Sequence, residues 1–107
     1  MMAKRRDVIL ASIYFSDEPQ SKVRPCIVLS GEGHEPGFLM VAIITGAQDL
    51  HCILISKADM TCELASGSMA RADMIVRISS SQKVRTIGQV APAFYEHLVS
   101  KIIGLIR

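Results

Sequence analysis

The chain has 107 residues, half of them apolar, with 21% charged and few Pro and Gly. That is room for one domain with a real core; it excludes a multidomain dinucleotide enzyme, a disordered tail and the collagen, coiled-coil and mucin classes. A net charge of +2 permits nucleic-acid binding without requiring it.

Residues 7–15, rich in Val, Ile, Tyr and Phe, predict a first strand. Lys4, Arg5 and Arg6 precede this apolar run, but Asp7 interrupts and no small-residue cleavage site follows, so it does not read as a signal peptide. Residues 16–21 form a polar loop, and residues 23–30 a second strand with Pro25 near its start, where a missing N–H does least harm. A Gly- and Pro-rich turn spans residues 31–37. Residues 38–45 are almost continuously apolar and predict a strand buried on both faces. The apolar stretch of residues 38–47 is well short of the ~18 residues a membrane helix needs.

Residues 51–56 suggest a fourth strand and residues 57–68 an irregular segment with a helical turn at its start. Residues 74–78 and 84–90 predict two further strands around a serine turn. From Pro92 the period changes: Phe94, Tyr95, Leu98, Val99, Ile102, Ile103, Leu105 and Ile106 form a wide helical stripe, with Pro92 suited to the first turn. Strands first and one helix last predict an α+β domain with a strongly bent antiparallel sheet or small barrel, spanning residues 1–107.

The three cysteines, Cys26, Cys52 and Cys62, have no C-x-x-C spacing, which disfavours a disulfide framework or zinc site and fits a reducing cytosol. His34, His51 and His97 have no partner at metal spacing and read as surface or structural histidines. No phosphate-binding Gly loop, G-x-S-x-G elbow or H-E-x-x-H motif is present. The polar residues that interrupt apolar segments are more informative. Arg24 opens a buried strand, where its guanidinium needs an anion or water. Thr45 closes the third strand. Arg71 and Asp73 stand two apart, just before the fifth strand, where extended backbone turns both side chains the same way. By ordinary expectation each is a structural ion pair or a satisfied strand-end hydroxyl.

The order of these segments resembles the MazF/PemK family of toxins. The resemblance rests on Arg24-Pro25-Cys26-Ile27-Val28-Leu29-Ser30, on Thr45 after an apolar strand, on Ser68-Met69-Ala70-Arg71-Ala72-Asp73-Met74-Ile75, and on Val84-Arg85-Thr86-Ile87-Gly88 before the closing helix. It implies an SH3-like barrel with a C-terminal helix, usually a homodimer, acting in the cytoplasm. The implied activity is metal-independent, sequence-selective cleavage of single-stranded RNA, often mRNA, to 2′,3′-cyclic phosphate and 5′-hydroxyl ends. No cofactor or metal is implied. The implied partner is a cognate antitoxin, with an acidic, partly disordered tail expected across the basic groove near Arg24.

Carried onto this sequence, the family site falls on Arg24, Thr45, Arg71 and Asp73. RNA supplies its own nucleophile, so the protein needs a base, charge on the phosphorane and a donor toward the leaving oxygen. Asp73 is the candidate base, Arg24 and Arg71 the phosphate clamps, and Thr45 a hydrogen-bond donor. Some family members carry an auxiliary histidine between the first two strands; residues 16–23 hold none, and Lys22 is the cation nearest to that role. The competing expectation is a non-catalytic module of the same fold, holding a protein target as CcdB toxins do, or binding RNA or antitoxin without cutting. The chain ends Gly104-Leu105-Ile106-Arg107 with no aromatic residue, which disfavours the CcdB-like case.

Overall fold

The computed structural model describes residues 2–14, 19–46 and 50–107. Six strands and one long helix follow in order: β1 (Asp7–Ile13), β2 (Lys22–Ser30), β3 (Phe38–Thr45), β4 (Cys52–Leu54), β5 (Met69–Ser79), β6 (Lys83–Gln89) and α1 (Pro92–Ile106). Single 3-10 turns at Lys57–Asp59 and Ser80–Gln82 join β4 to β5 and β5 to β6. Every strand pairing is antiparallel, in the order β4-β5-β3-β2-β1-β6. The sheet bends strongly without closing into a continuous ladder. The segment after β4 reaches across to β6 through a bridge between Met60 and Val90 and a hydrogen bond from the Thr61 amide to the Gln89 carbonyl (2.8 Å).

Alternation of side chains builds a core on each face. Val8, Ile27, Ala42, Ile44, Ala70 and Ala72 pack toward α1, where they meet Phe94, Tyr95 and Leu98. Ile9, Ala11, Ile13, Cys26, Val28, Leu39, Val41, Ile43 and Ile78 form the second core. The run Val41 to Ile44 is buried on both sides, as its unbroken hydrophobicity predicts, while Met40 is exposed. Cys26 is fully buried, and that burial pushes its thiol up to about 12, so it is an apolar filler rather than a reactive group. Pro25 sits inside β2, but the β3 ladder begins only at Cys26, so its missing N–H falls where β2 is paired on one side.

Helix α1 starts where the proline predicts, with Ala91 as N-cap and Pro92 in the first turn. The Tyr95 hydroxyl donates to the Leu29 carbonyl (2.8 Å), tying the helix to β2. The turn before β3 is clasped by Arg77. Its guanidinium pairs with Glu35 (2.5 Å) and lies over the Phe38 ring at 3.7 Å.

Three strands differ from the sequence expectation by more than one residue at a boundary. β1 ends at Ile13, and of the expected loop, residues 16–18 lie outside the described residues. β4 has only three residues, because the Ser56 side chain and amide bind Asp59 and start the 3-10 turn. β5 starts at Met69, five residues before expectation, so Arg71 and Asp73 lie within the strand rather than ahead of it. β4 provides the pairing that extends it: Cys52, Ile53 and Leu54 bind Arg71, Ala70 and Met69.

Gly88 marks a contact that admits no side chain. A Cβ there would lie 2.6 Å from the Cβ of Cys62 and 3.0 Å from its amide nitrogen. Gly88→Ala is therefore expected to destabilise the fold by about 1–3 kcal/mol. The measurement is a urea unfolding curve with a lower midpoint at constant slope; an unchanged midpoint contradicts the packing described.

Candidate active site

Four of the sequence-predicted residues gather around one end of the central strands. Arg24 lies in β2 directly across from Ala11 of β1, which belongs to the second core. Cys26 pairs with Ile43, and the same register carried two residues on aligns Arg24 with Thr45. Thr45 in turn pairs with Met69 of β5, two residues before Arg71. Arg24 and Thr45 thus occupy neighbouring strands at the rim of the second core. Arg24 is half-buried, with its Nε shielded from solvent. Lys22 lies one step outward, across from Ile13, and is exposed.

Arg71 and Asp73 meet as the i, i+2 spacing predicts, in a two-pronged pair: Nε to Oδ1 at 3.0 Å and Nη2 to Oδ2 at 2.9 Å. Both are partly exposed, at 23% and 28% of their side chains. The hydrogen-bonded Arg71 guanidinium holds the Asp73 carboxyl below its ordinary value. Burial works against that hydrogen bond, and the charges of Arg71 and then His51 add smaller pulls in its direction.

The pair sits at an irregularity. Between Ala42 and Ile44 of β3 the partner residues run from Ile75 to Ala70, so β5 advances five residues while β3 advances two. Ala70 and Ala72 face the helix-side core, whereas Met74, Val76 and Ile78 belong with the second. Because strand side chains alternate, the odd excess reverses the strand's faces within a few residues. Asp73 lies in this turnover and lines a groove of about 360 Å³ between β5 and the last turns of α1.

The structure also brings in a residue that sequence reasoning set aside. The His51 carbonyl accepts a hydrogen bond from the Ala72 amide (3.0 Å), placing His51 beside the Arg71–Asp73 segment, and His51 lines the same groove as Asp73. No local signal announces this, because the two residues are 22 apart in sequence and meet only through the β4–β5 pairing. His34 and His97 are not among the residues lining this groove. Among the described residues, no three His, Cys, Asp or Glu side chains gather around a point that suits a metal ion.

The model of the PemK-like, MazF-like toxins of type II toxin-antitoxin systems matches residues 4–106. The chain belongs to this family. Solved structures with the same fold include MazF from Deinococcus radiodurans (TM-score 0.77, 13% identity, covering 99% of this chain and 97% of that one). Another is the Mycobacterium tuberculosis toxin MazF-mt6 (TM-score 0.71, 20% identity, covering 92% and 93%). A third is a mycobacterial endoribonuclease in complex with its cognate antitoxin (TM-score 0.76, 12% identity, covering 97% and 94%). No curated protein is similar enough to count as a relative. The six-stranded antiparallel sheet with a C-terminal helix agrees with the α+β toxin fold that the sequence implies. Among the described residues no helix is long and apolar enough to cross a membrane.

The Arg71–Asp73 pair makes a prediction about acid stability. The folded carboxyl titrates below its ordinary 3.8, so the pair's contribution is complete above that value and is lost as pH falls through the lower folded value. Asp73→Asn is expected to flatten this acid limb. Urea midpoints of wild type and variant between pH 2 and 7 provide the check. Identical acid limbs contradict the pairing.

Proposed function

We propose that this member of the toxin family is a metal-independent endoribonuclease that cleaves single-stranded RNA, with mRNA as its target class, leaving 2′,3′-cyclic phosphate and 5′-hydroxyl ends. The observation that carries the reading is the two-pronged Arg71–Asp73 pair beside the rim that holds Arg24 and Thr45. The endoribonuclease names of the mycobacterial structural neighbours point the same way.

In this reading the 2′-hydroxyl attacks the adjacent phosphorus and the 5′-oxygen leaves. Negative charge builds on the non-bridging oxygens at the five-coordinate stage. Arg24 and Arg71 stabilise it with planar guanidinium donors, and Thr45 donates a further hydrogen bond. Neither arginine is assigned a proton transfer; each acts through its charge and its planar donors. We assign Asp73 to holding the Arg71 fork in the plane where it meets phosphate. A carboxylate whose proton affinity is lowered by that same guanidinium is a weak base at neutral pH. Lys22, exposed at the start of β2, steers the RNA backbone toward Arg24.

The partners follow from the same surface. We propose a cognate antitoxin whose acidic, partly disordered tail lies across the basic rim near Arg24, competing for the donors that hold phosphate. The Deinococcus MazE-MazF structure and the mycobacterial toxin–antitoxin complex support such a partner. We also propose a homodimer. Ile103 on α1, exposed at 43%, continues the helix's apolar stripe beyond the core and lies outside the groove that Asp73 lines.

The deciding assay is cleavage of a long single-stranded RNA in EDTA. Wild type is expected to give discrete cuts with 5′-hydroxyl ends. Arg24→Ala and Arg71→Ala are each expected to lower kcat/KM by about 10²-fold or more. Asp73→Asn, which keeps one acceptor for Arg71, loses less than Arg71→Ala. Absence of cleavage by wild type, or equal cleavage by wild type and both arginine variants, overturns the reading. For the dimer, light scattering at micromolar concentration is expected to give twice the chain mass, falling to one chain mass in an Ile103→Glu variant. Monomer mass for wild type rejects it.

A further inference from the structure

We infer that His51 is the proton acceptor for the attacking 2′-hydroxyl, an inference that rests on the ribonuclease reading above. The geometry comes from the β4–β5 pairing. Cys52 binds opposite Arg71, and the next residue back, His51, accepts the Ala72 amide with its carbonyl (3.0 Å). His51 is therefore held across from the residue that separates Arg71 and Asp73. His51 and Asp73 line one groove, walled by Ile75 of β5 and by Ile102, Leu105 and Ile106 of α1. Among the described residues the two are the groove's titratable lining residues, and those from α1 are apolar. From β5, Arg71 reaches the far side of Asp73, and Cys52 lies opposite Arg71 on β4.

The chemistry separates two jobs. The carboxylate of Asp73 has both oxygens engaged by Arg71, which suits it to hold a phosphate clamp. An unprotonated imidazole nitrogen offers a lone pair to a hydroxyl proton, a role that a carboxylate locked to a guanidinium fills poorly. Ile102, Leu105 and Ile106 of α1 make one wall of the groove apolar.

The step balances without a metal. The 2′-oxygen forms its bond to phosphorus as its proton passes to the unprotonated ring nitrogen of His51. The bond from phosphorus to the 5′-oxygen breaks with its electron pair on that oxygen, which takes a proton from water. The hydroxide so formed takes the proton back from the imidazolium, and the enzyme is restored.

The test compares wild type, His51→Gln and His51→Ala on the same RNA in EDTA across pH 5 to 9, with circular dichroism and urea midpoints to verify folding. For His51→Gln, kcat is expected to fall by about 10²- to 10⁴-fold, with KM changed by no more than about threefold. The wild-type acid limb in kcat/KM is expected to vanish from the residual activity. Added imidazole is expected to restore part of the His51→Ala rate, which an unfolded or merely loosened variant does not allow. A His51→Gln enzyme with wild-type kcat and pH profile overturns the assignment. So does a loss confined to KM, or one that imidazole does not relieve while the acid limb persists. Wild type that cuts no RNA is a different failure: it removes the ribonuclease reading itself, and this inference with it.

Discussion

The site depends on a mismatch between two strands. β5 spends five residues where its neighbour β3 spends two, and side-chain alternation converts that odd excess into a reversal of faces. Ala70 and Ala72 pack beneath the helix; a few residues later Met74 and Val76 pack into the opposite core. Arg71 and Asp73 sit where the strand changes allegiance. Their two-pronged pair, at 3.0 and 2.9 Å, neutralises two charges that neither core accommodates. Asp73, in this stretch, lines the groove beside α1.

The other half of the site is held by a more regular device. β2 and β3 are in register from Cys26 and Ile43 inward, and both strands are buried there on two faces. Arg24 and Thr45 are the first polar side chains beyond that buried stretch. A rigid apolar ladder thus holds both polar side chains at the rim, on regular elements rather than on a loop. The N-terminal segment closes the opposite end of β2. Arg6 adopts a φ of 74°, with its amide on the Val28 carbonyl and its own carbonyl accepting from Val90. Asp7, only 5% exposed, accepts the Lys4 amide and the Gln89 side chain. These bonds satisfy the polar groups around a backbone conformation that costs an ordinary residue roughly 1–2 kcal/mol.

Much of this was legible in the chain because the signals are local. Period-two alternation and unbroken apolar runs mark β1, β2 and β3; the change to a helical period after Pro92 marks α1 with its first turn. The Arg71–Asp73 contact follows from i, i+2 geometry alone, although the strand was expected to begin only at residue 74. That boundary was hidden because Met69 to Asp73 is not a strongly apolar stretch. It is extended by its partners β3 and β4, and no property of its own residues reveals them.

The sequence by itself determined the composition of the fold: strands then helix, two apolar faces on β3, a buried Cys26, and polar residues confined to the ends of apolar segments. Those features are read from neighbours along the chain, where alternation and turn chemistry act. Only the tertiary structure decided the strand order β4-β5-β3-β2-β1-β6, the reversal of faces within β5, and the meeting of His51 with Asp73. Each of these depends on pairing between segments distant in sequence. Such pairing is set by how the whole sheet buries both its faces at once, a constraint that no local stretch of the chain carries.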